Sequence, residues 1–195
     1  NYYQTNYMLL RLIMEKVTEL PFEEYVLQRQ FPSSDSSEVF FSSNPDEEIS
    51  NRVRYYRFDH NLNEFTGKPD FSGDKNLPLA GINITLDEYI NWNNRLDNNL
   101  LINEATKKLM WTPFKFMKSD RNFLHGWDVY KVNDHDSFGF SGGGVSGYRK
   151  FLEKDISIIV LTTGYKHYSV QDIIIDHIAG IVDASLKDRE TLLTE

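Results

Sequence analysis

Leu9, Leu10, Ile13, Met14 and Val17 recur at the interval of a helix face, and Asn6 stands where a cap belongs, which predicts a helix over residues 7–18. Leu20-Pro21 breaks it. Pro21 opens a second helix through about Gln30, and Pro32 ends that one. From Ser33 to Lys75 the pattern fades into Ser, Asn, Asp and Gly, with one short strand expected at Val53 to Phe58. The stretch reads as a surface excursion and not a linker, because Phe40, Phe41, Tyr55, Tyr56 and Phe58 need somewhere to pack. A third helix follows from Thr85 to Arg95. Thr85 and Glu88 make a capping box, and Leu86, Tyr89, Ile90 and Asn93 mark its turns. Asn103 caps a short helix through about Met110, closed off by Pro113.

The period then changes. His125 to Val132, Tyr148 to Glu153 and Ile156 to Thr162 are strand-like, and the last two are expected to form a hairpin about Lys154-Asp155. Ser169 to Leu186 is a long amphipathic helix with an expected buried stripe of Ile174, Ile178, Ile181 and Val182. Asp172 and Asp176 favour its N-terminal end. Helices, then antiparallel strands, then one terminal helix is an α+β order: an antiparallel sheet with flanking helices. Only about three strands are legible, a small sheet for this much helix, which suggests missing partner strands.

Composition narrows the function. The 195 residues carry a net charge of −8, which disfavours a nucleic-acid groove or an anionic membrane surface. There is no cysteine, so disulfides, thiolate metal sites and thiol nucleophiles drop out together. No apolar run approaches the roughly 18 residues of a spanning helix. His60, His125, His135, His167 and His177 are scattered without ligand spacing, and His177 reads as a packing residue. No cofactor or metal is expected.

Two motif matches fail on context. Ser72-Gly73-Asp74-Lys75 spells S-x-x-K, but that chemistry needs Ser and Lys on one helix face. Here Gly and Asp fill the middle, and Pro69 and Pro78 flank it. The run Gly142 to Gly147 spells G-x-G-x-x-G, yet a strand-like segment follows where a dinucleotide site needs a helix. The glycines still imply a close approach by a backbone or a ligand.

Several segments in order resemble the C-terminal half of the serine β-lactamase and penicillin-binding-protein family, in its class C and esterase-like branch. Tyr2-Tyr3-Gln4 resembles that family's Y-x-N loop running into a helix, and Pro21-Phe22-Glu23-Glu24-Tyr25 continues it. Leu86-Asp87-Glu88-Tyr89 and Met110-Trp111-Thr112-Pro113 follow in register, then Gly126-Trp127-Asp128-Val129. Phe138 to Gly147 resembles the G-H-x-G-G-x-x-G segment. The resemblance covers nearly the whole chain, with a weak patch at residues 33–70.

It implies one β-lactamase/transpeptidase-like domain over residues 1–195, incomplete, without the N-terminal strands and the nucleophile helix. It implies acyl transfer to serine, on a β-lactam, D-alanyl peptide or ester. Tyr2 takes the place of the phenolic base, Gln4 that of the Asn amide, and Gly143 that of the oxyanion N–H donor. Phe140, Ser141 and Gly142 fall on the substrate strand, where Phe140 replaces a Lys or His with a side chain that holds no charge and passes no proton. Three readings stand: the C-terminal part of a serine hydrolase, inactive alone; a catalytically dead binding or structural module; or an independent α+β domain. The expected partners are a small-molecule or peptide substrate if the parent is active, and the missing N-terminal segment or a second copy against an exposed apolar face. The expected location, from the family, is periplasmic or extracellular.

Overall fold

The computed structural model describes residues 3–32, 38–41, 49–54, 56–67, 82–115, 124–142, 146–165 and 170–187. Among them the helices are α1 (Gln4–Thr18), α2 (Phe22–Gln30), α3 (Leu86–Asp97), α4 (Glu104–Met110) and α5 (Val170–Val182). The strands are β1 (Val39–Phe41), β2 (Tyr56–Asp59), β3 (Glu64–Gly67), β4 (Ile82–Ile84), β5 (Asp128–Val132), β6 (His135–Gly142), β7 (Ser146–Phe151), β8 (Ile156–Leu161) and β9 (Gly164–Tyr165). The α+β expectation holds. The strand count does not, since β1, β3, β4, β6 and β9 are short or rich in Ser, Gly and Asn. The chain divides into two compact units, residues 1–55 with 68–101, and residues 56–67 with 102–195.

In the first unit, α1 begins at Gln4, three residues before the predicted start. Tyr3 is extended at φ −136°, so Asn6 lies inside the helix instead of capping it. Its N–H reaches Tyr3 O at 3.0 Å. α2 has no side-chain cap at Pro21. The Glu15 carboxylate, reaching across from α1, accepts the Phe22 N–H at 3.1 Å. That bond, helped by the Arg11 guanidinium, holds the Glu15 carboxyl below its ordinary value. Arg11 also pairs with Glu23 at 2.9 Å. Leu9, Leu10, Leu12, Ile13 and Val17 are all more than half exposed, Val17 at 76%.

Helix α3 starts as expected, with Thr85 Oγ accepting from Glu88 N at 3.2 Å. The second half of the capping box is not made with Thr85, whose N–H goes to Glu38 O. Glu88 is buried and its carboxylate takes Arg95 at 2.7 Å instead. Arg95 NH2 also donates to Gln30 O at 3.0 Å, tying α3 to the end of α2. β1 and β4 pair antiparallel, Phe40 opposite Asn83.

In the second unit, β5, β6, β7 and β8 form a four-stranded antiparallel sheet in that order. β3 and β9 flank β2 in a second sheet, with β9 parallel to β2. The β7–β8 hairpin is present, Phe151 opposite Ile156. It closes through a 3₁₀ turn over Leu152–Lys154 and a left-handed Asp155 at φ 53°. β5 and β6 join through Asn133 and Asp134, both at positive φ, the two-residue turn that suits hairpin twist. Asn103 caps α4 through the Thr106 N–H at 2.8 Å.

α5 covers one face of the four-stranded sheet. Val132, Phe151, Ile158, Val160, Ile175, Ala179 and Leu186 form the core there. The helix is rotated from the predicted stripe. Gln171, Ile175 and Ala179 are the buried line, and Ile174 and Ile178 pack beside it. Ile181 is 72% exposed and Val182 and His177 are also exposed, against expectation. Gly147 explains the rotation. A Cβ there would stand 2.8 Å from Ile175 Cδ1 and 3.1 Å from Gln171 Cβ, so this line of the helix needs a bare backbone beneath it. One glycine of the cluster therefore admits a helix.

Candidate active site

β6 carries the segment on which the sequence placed substrate contacts. Phe140, Ser141 and Gly142 are its last three residues, opposite Tyr148, Gly147 and Ser146 of β7. Gly143, the expected oxyanion donor, lies outside the described residues, as do Tyr2 and the Ser72 to Lys75 match. Gln4 is the first residue of α1, in the first unit, whereas residues 140–142 belong to the second. β7 follows the glycines as a strand, so the dinucleotide match fails in structure as it did in sequence.

Side chains alternate along β6 between two environments. Phe140 and Gly142 share the face away from α5. The Phe140 ring folds along the strand, and a Cβ on Gly142 would meet Phe140 Cε1 at 3.2 Å. Trp127 precedes β5, and its ring lies 5.3 Å from that of Tyr148. β6 runs between β5 and β7, so these two rings meet across it. Trp111 packs on Trp127 at 5.9 Å. The buried indole N–H of Trp111 has no hydrogen-bond partner among the described residues. The result is an aromatic wall beside Phe140.

The other face is ionic. Arg149 is 1% exposed. Its guanidinium donates to Asp172 Oδ1 at 2.7 Å and to Asp176 Oδ1, both on α5, and sits 4.0 Å over the Tyr130 ring. Ser141 Oγ donates to the same Asp172 oxygen at 2.7 Å. Burial first, then the negative field of Asp172 and Asp128, pushes the Tyr130 phenol up to about 12, so it stays neutral. Sequence reading missed Arg149 and Tyr130 and took the two aspartates as dipole complements. The signal available was Asp at i and i+4 on a helix that also buries an apolar line.

Among the described residues no group of three or more His, Asp or Glu side chains is placed to hold a metal ion, and no helix is long and apolar enough to cross a membrane.

The solved structures that this antiparallel sheet and its covering helix match are of the β-lactamase/transpeptidase fold. The Beta-lactamase family model matches residues 1–180, and the chain belongs to that family. It is similar to a penicillin-binding protein from Bacillus halodurans (16% identity, TM-score 0.69, covering 91% of this chain and 56% of that one). It is similar to an octameric penicillin-binding protein homologue from Pyrococcus abyssi (18%, 0.72, 92% and 42%). It also resembles the D-amino acid amidase from Ochrobactrum anthropi SV3 solved with L-phenylalanine amide (14%, 0.74, 95% and 57%). The chain spans about half the length of these solved structures. No curated protein matches it.

Proposed function

We propose that this chain is the C-terminal part of a β-lactamase-related serine hydrolase and that alone it does not hydrolyse. One observation carries the reading: the sequence's single S-x-x-K match, Ser72 to Lys75, has Gly and Asp within it and prolines on both sides, a sequence that does not suit the helix this chemistry needs. The family match and the greater length of the solved relatives support it. In the whole protein, a serine supplied by the remaining segment attacks the carbonyl of a β-lactam, D-alanyl peptide or ester. A Ser–acyl bond forms, the bond to the leaving group breaks, and the serine proton passes through Lys and Tyr2 to that group. Gly143 donates its N–H to the oxyanion, Gln4 supplies an amide, and residues 140–142 line the substrate strand. The natural partner is the segment bearing Ser and Lys, and the location is the cell envelope or beyond it.

A second reading, a catalytically dead module of the same fold, is favoured by Phe140, which offers neither charge nor proton where the family resemblance places Lys or His. The test is time-dependent labelling with a fluorophosphonate or a labelled penicillin. The chain alone is expected to take no label, and heat-sensitive labelling would overturn the proposal. Mixing in the parent's S-x-x-K segment separates the readings: labelling supports the first, and its absence supports the dead module.

A further inference from the structure

Ser141 turns its hydroxyl away from the face that holds Phe140. Its Oγ donates to Asp172 at 2.7 Å. A Cβ on Gly147, its cross-strand partner, would lie 3.1 Å from that oxygen. The same Gly147 position borders Ile175 and Gln171 of α5. The hydroxyl therefore sits between the sheet and the helix. Phe140 and Gly142 occupy the opposite face, so a ligand lying against them is out of its reach.

We propose that Ser141 and Asp172 are positioning residues, which clamp the end of β6 to α5 and thereby set the peptide groups of Ser141 and Gly142. This rests on the reading of β6 as the substrate strand. The need for a clamp follows from the local sequence. Gly139 and Gly142 contribute no side chains to β6, so side-chain packing does little to locate this strand end. A strand that seats a substrate tolerates little displacement, because a misplacement of about 1 Å can cost on the order of a hundredfold in rate. Asp172 is itself fixed from behind. The Arg149 guanidinium shares its Oδ1, is held by Asp176, and stacks on Tyr130. The chain of contacts runs from the buried β7 cation through a helix carboxylate to one hydroxyl on β6.

The test uses the 195-residue chain and amide hydrogen exchange read by NMR at residues 140–142, with α4 amides as reference. Ser141→Ala removes the hydroxyl and keeps the Arg149–Asp172 pair, so the fold is retained. Exchange at the end of β6 is expected to speed up about tenfold, with α4 unchanged. Ser141→Thr is expected to restore rates to within about twofold, because its hydroxyl rescues the bond. In Ser141→Ala with Asp172→Asn, the β6 end is expected to exchange no faster than in the faster single variant. Unchanged exchange in Ser141→Ala, an equal rise throughout the chain, or failure of Thr to rescue would each overturn the clamp. Labelling of the unsubstituted 195-residue chain alone would remove the proposed function while leaving the exchange result standing.

Discussion

The guanidinium of Arg149 lies 4.0 Å over the ring of Tyr130 and is 1% exposed, with Asp172 and Asp176 as its counter-charges. A cation so deeply placed depends on its carboxylates. Asp172→Asn with Asp176→Asn leaves it buried and uncompensated, and this is expected to cost about 3–5 kcal/mol in urea denaturation. Adding Arg149→Met to that pair is expected to recover most of the loss, because an apolar side chain of similar length needs no counter-charge. A triple variant as unstable as the double would show that shape, not charge, dominates at this position.

Gly139 and Gly147 face different neighbours, and the difference is testable. A Cβ at Gly139 would come 1.8 Å from the backbone oxygen of Tyr148 and 2.9 Å from Arg149 Cα, on a partner strand that cannot yield alone. Gly139→Ala is expected to cost about 3 kcal/mol or more by separating β6 from β7. At Gly147 the nearest atom is Ile175 Cδ1, the end of a flexible side chain. Gly147→Ala is expected to cost only about 1–2 kcal/mol. Chemical denaturation of both variants checks the order.

Asp183 accepts from the Ser185 hydroxyl at 2.7 Å and its N–H at 2.9 Å, and pairs with Lys154 at 3.1 Å. These bonds, the hydroxyl first, bring its carboxyl down from 3.8 to about 2. The unfolded chain then binds the proton before the folded one, so the stabilisation is full above about pH 4 and is lost as pH falls towards 2. The gap in melting temperature between the parent and Asp183→Asn is expected at neutral pH and should close near pH 2. A gap that persists undiminished there would assign the effect to packing of the turn.

Asn133 and Asp134 stand at φ 44° and 70° between β5 and β6. Asp134→Gly removes the steric cost of the left-handed region and is expected to stabilise by about 0.5–1 kcal/mol. Asp134→Val is expected to destabilise by about 1–2 kcal/mol. Thermal melts of the two variants should bracket the parent.

The helix caps at Thr85 and Asn103 are legible in sequence because each is satisfied within three residues. β6 is not legible. Its residues, His135 to Gly142, carry two glycines, two serines and an aspartate, and they are a strand because β5 and β7 supply both ladders. The Asn133-Asp134 turn is the one local mark of it. The glycine-rich strand end was legible by resemblance, whereas the ionic cluster behind it was not. Arg149 meets Asp172 and Asp176 across 23 and 27 residues, a pairing fixed only when α5 settles on Gly147. The line 171–175–179 faces the sheet for the same reason, although Ile174, Ile178 and Ile181 are the greasier choice by residue type.

The exposed leucines of α1 bear on handling as much as on biology. Leu9, Leu10, Leu12 and Ile13 lie bare on a chain whose net charge of −8 keeps molecules apart at low ionic strength. Salt screens that repulsion and strengthens apolar adhesion together. Retention on a hydrophobic column and salting-out should therefore set in while the fold is intact, so that colloidal behaviour, not unfolding, limits the concentration at which this protein can be studied.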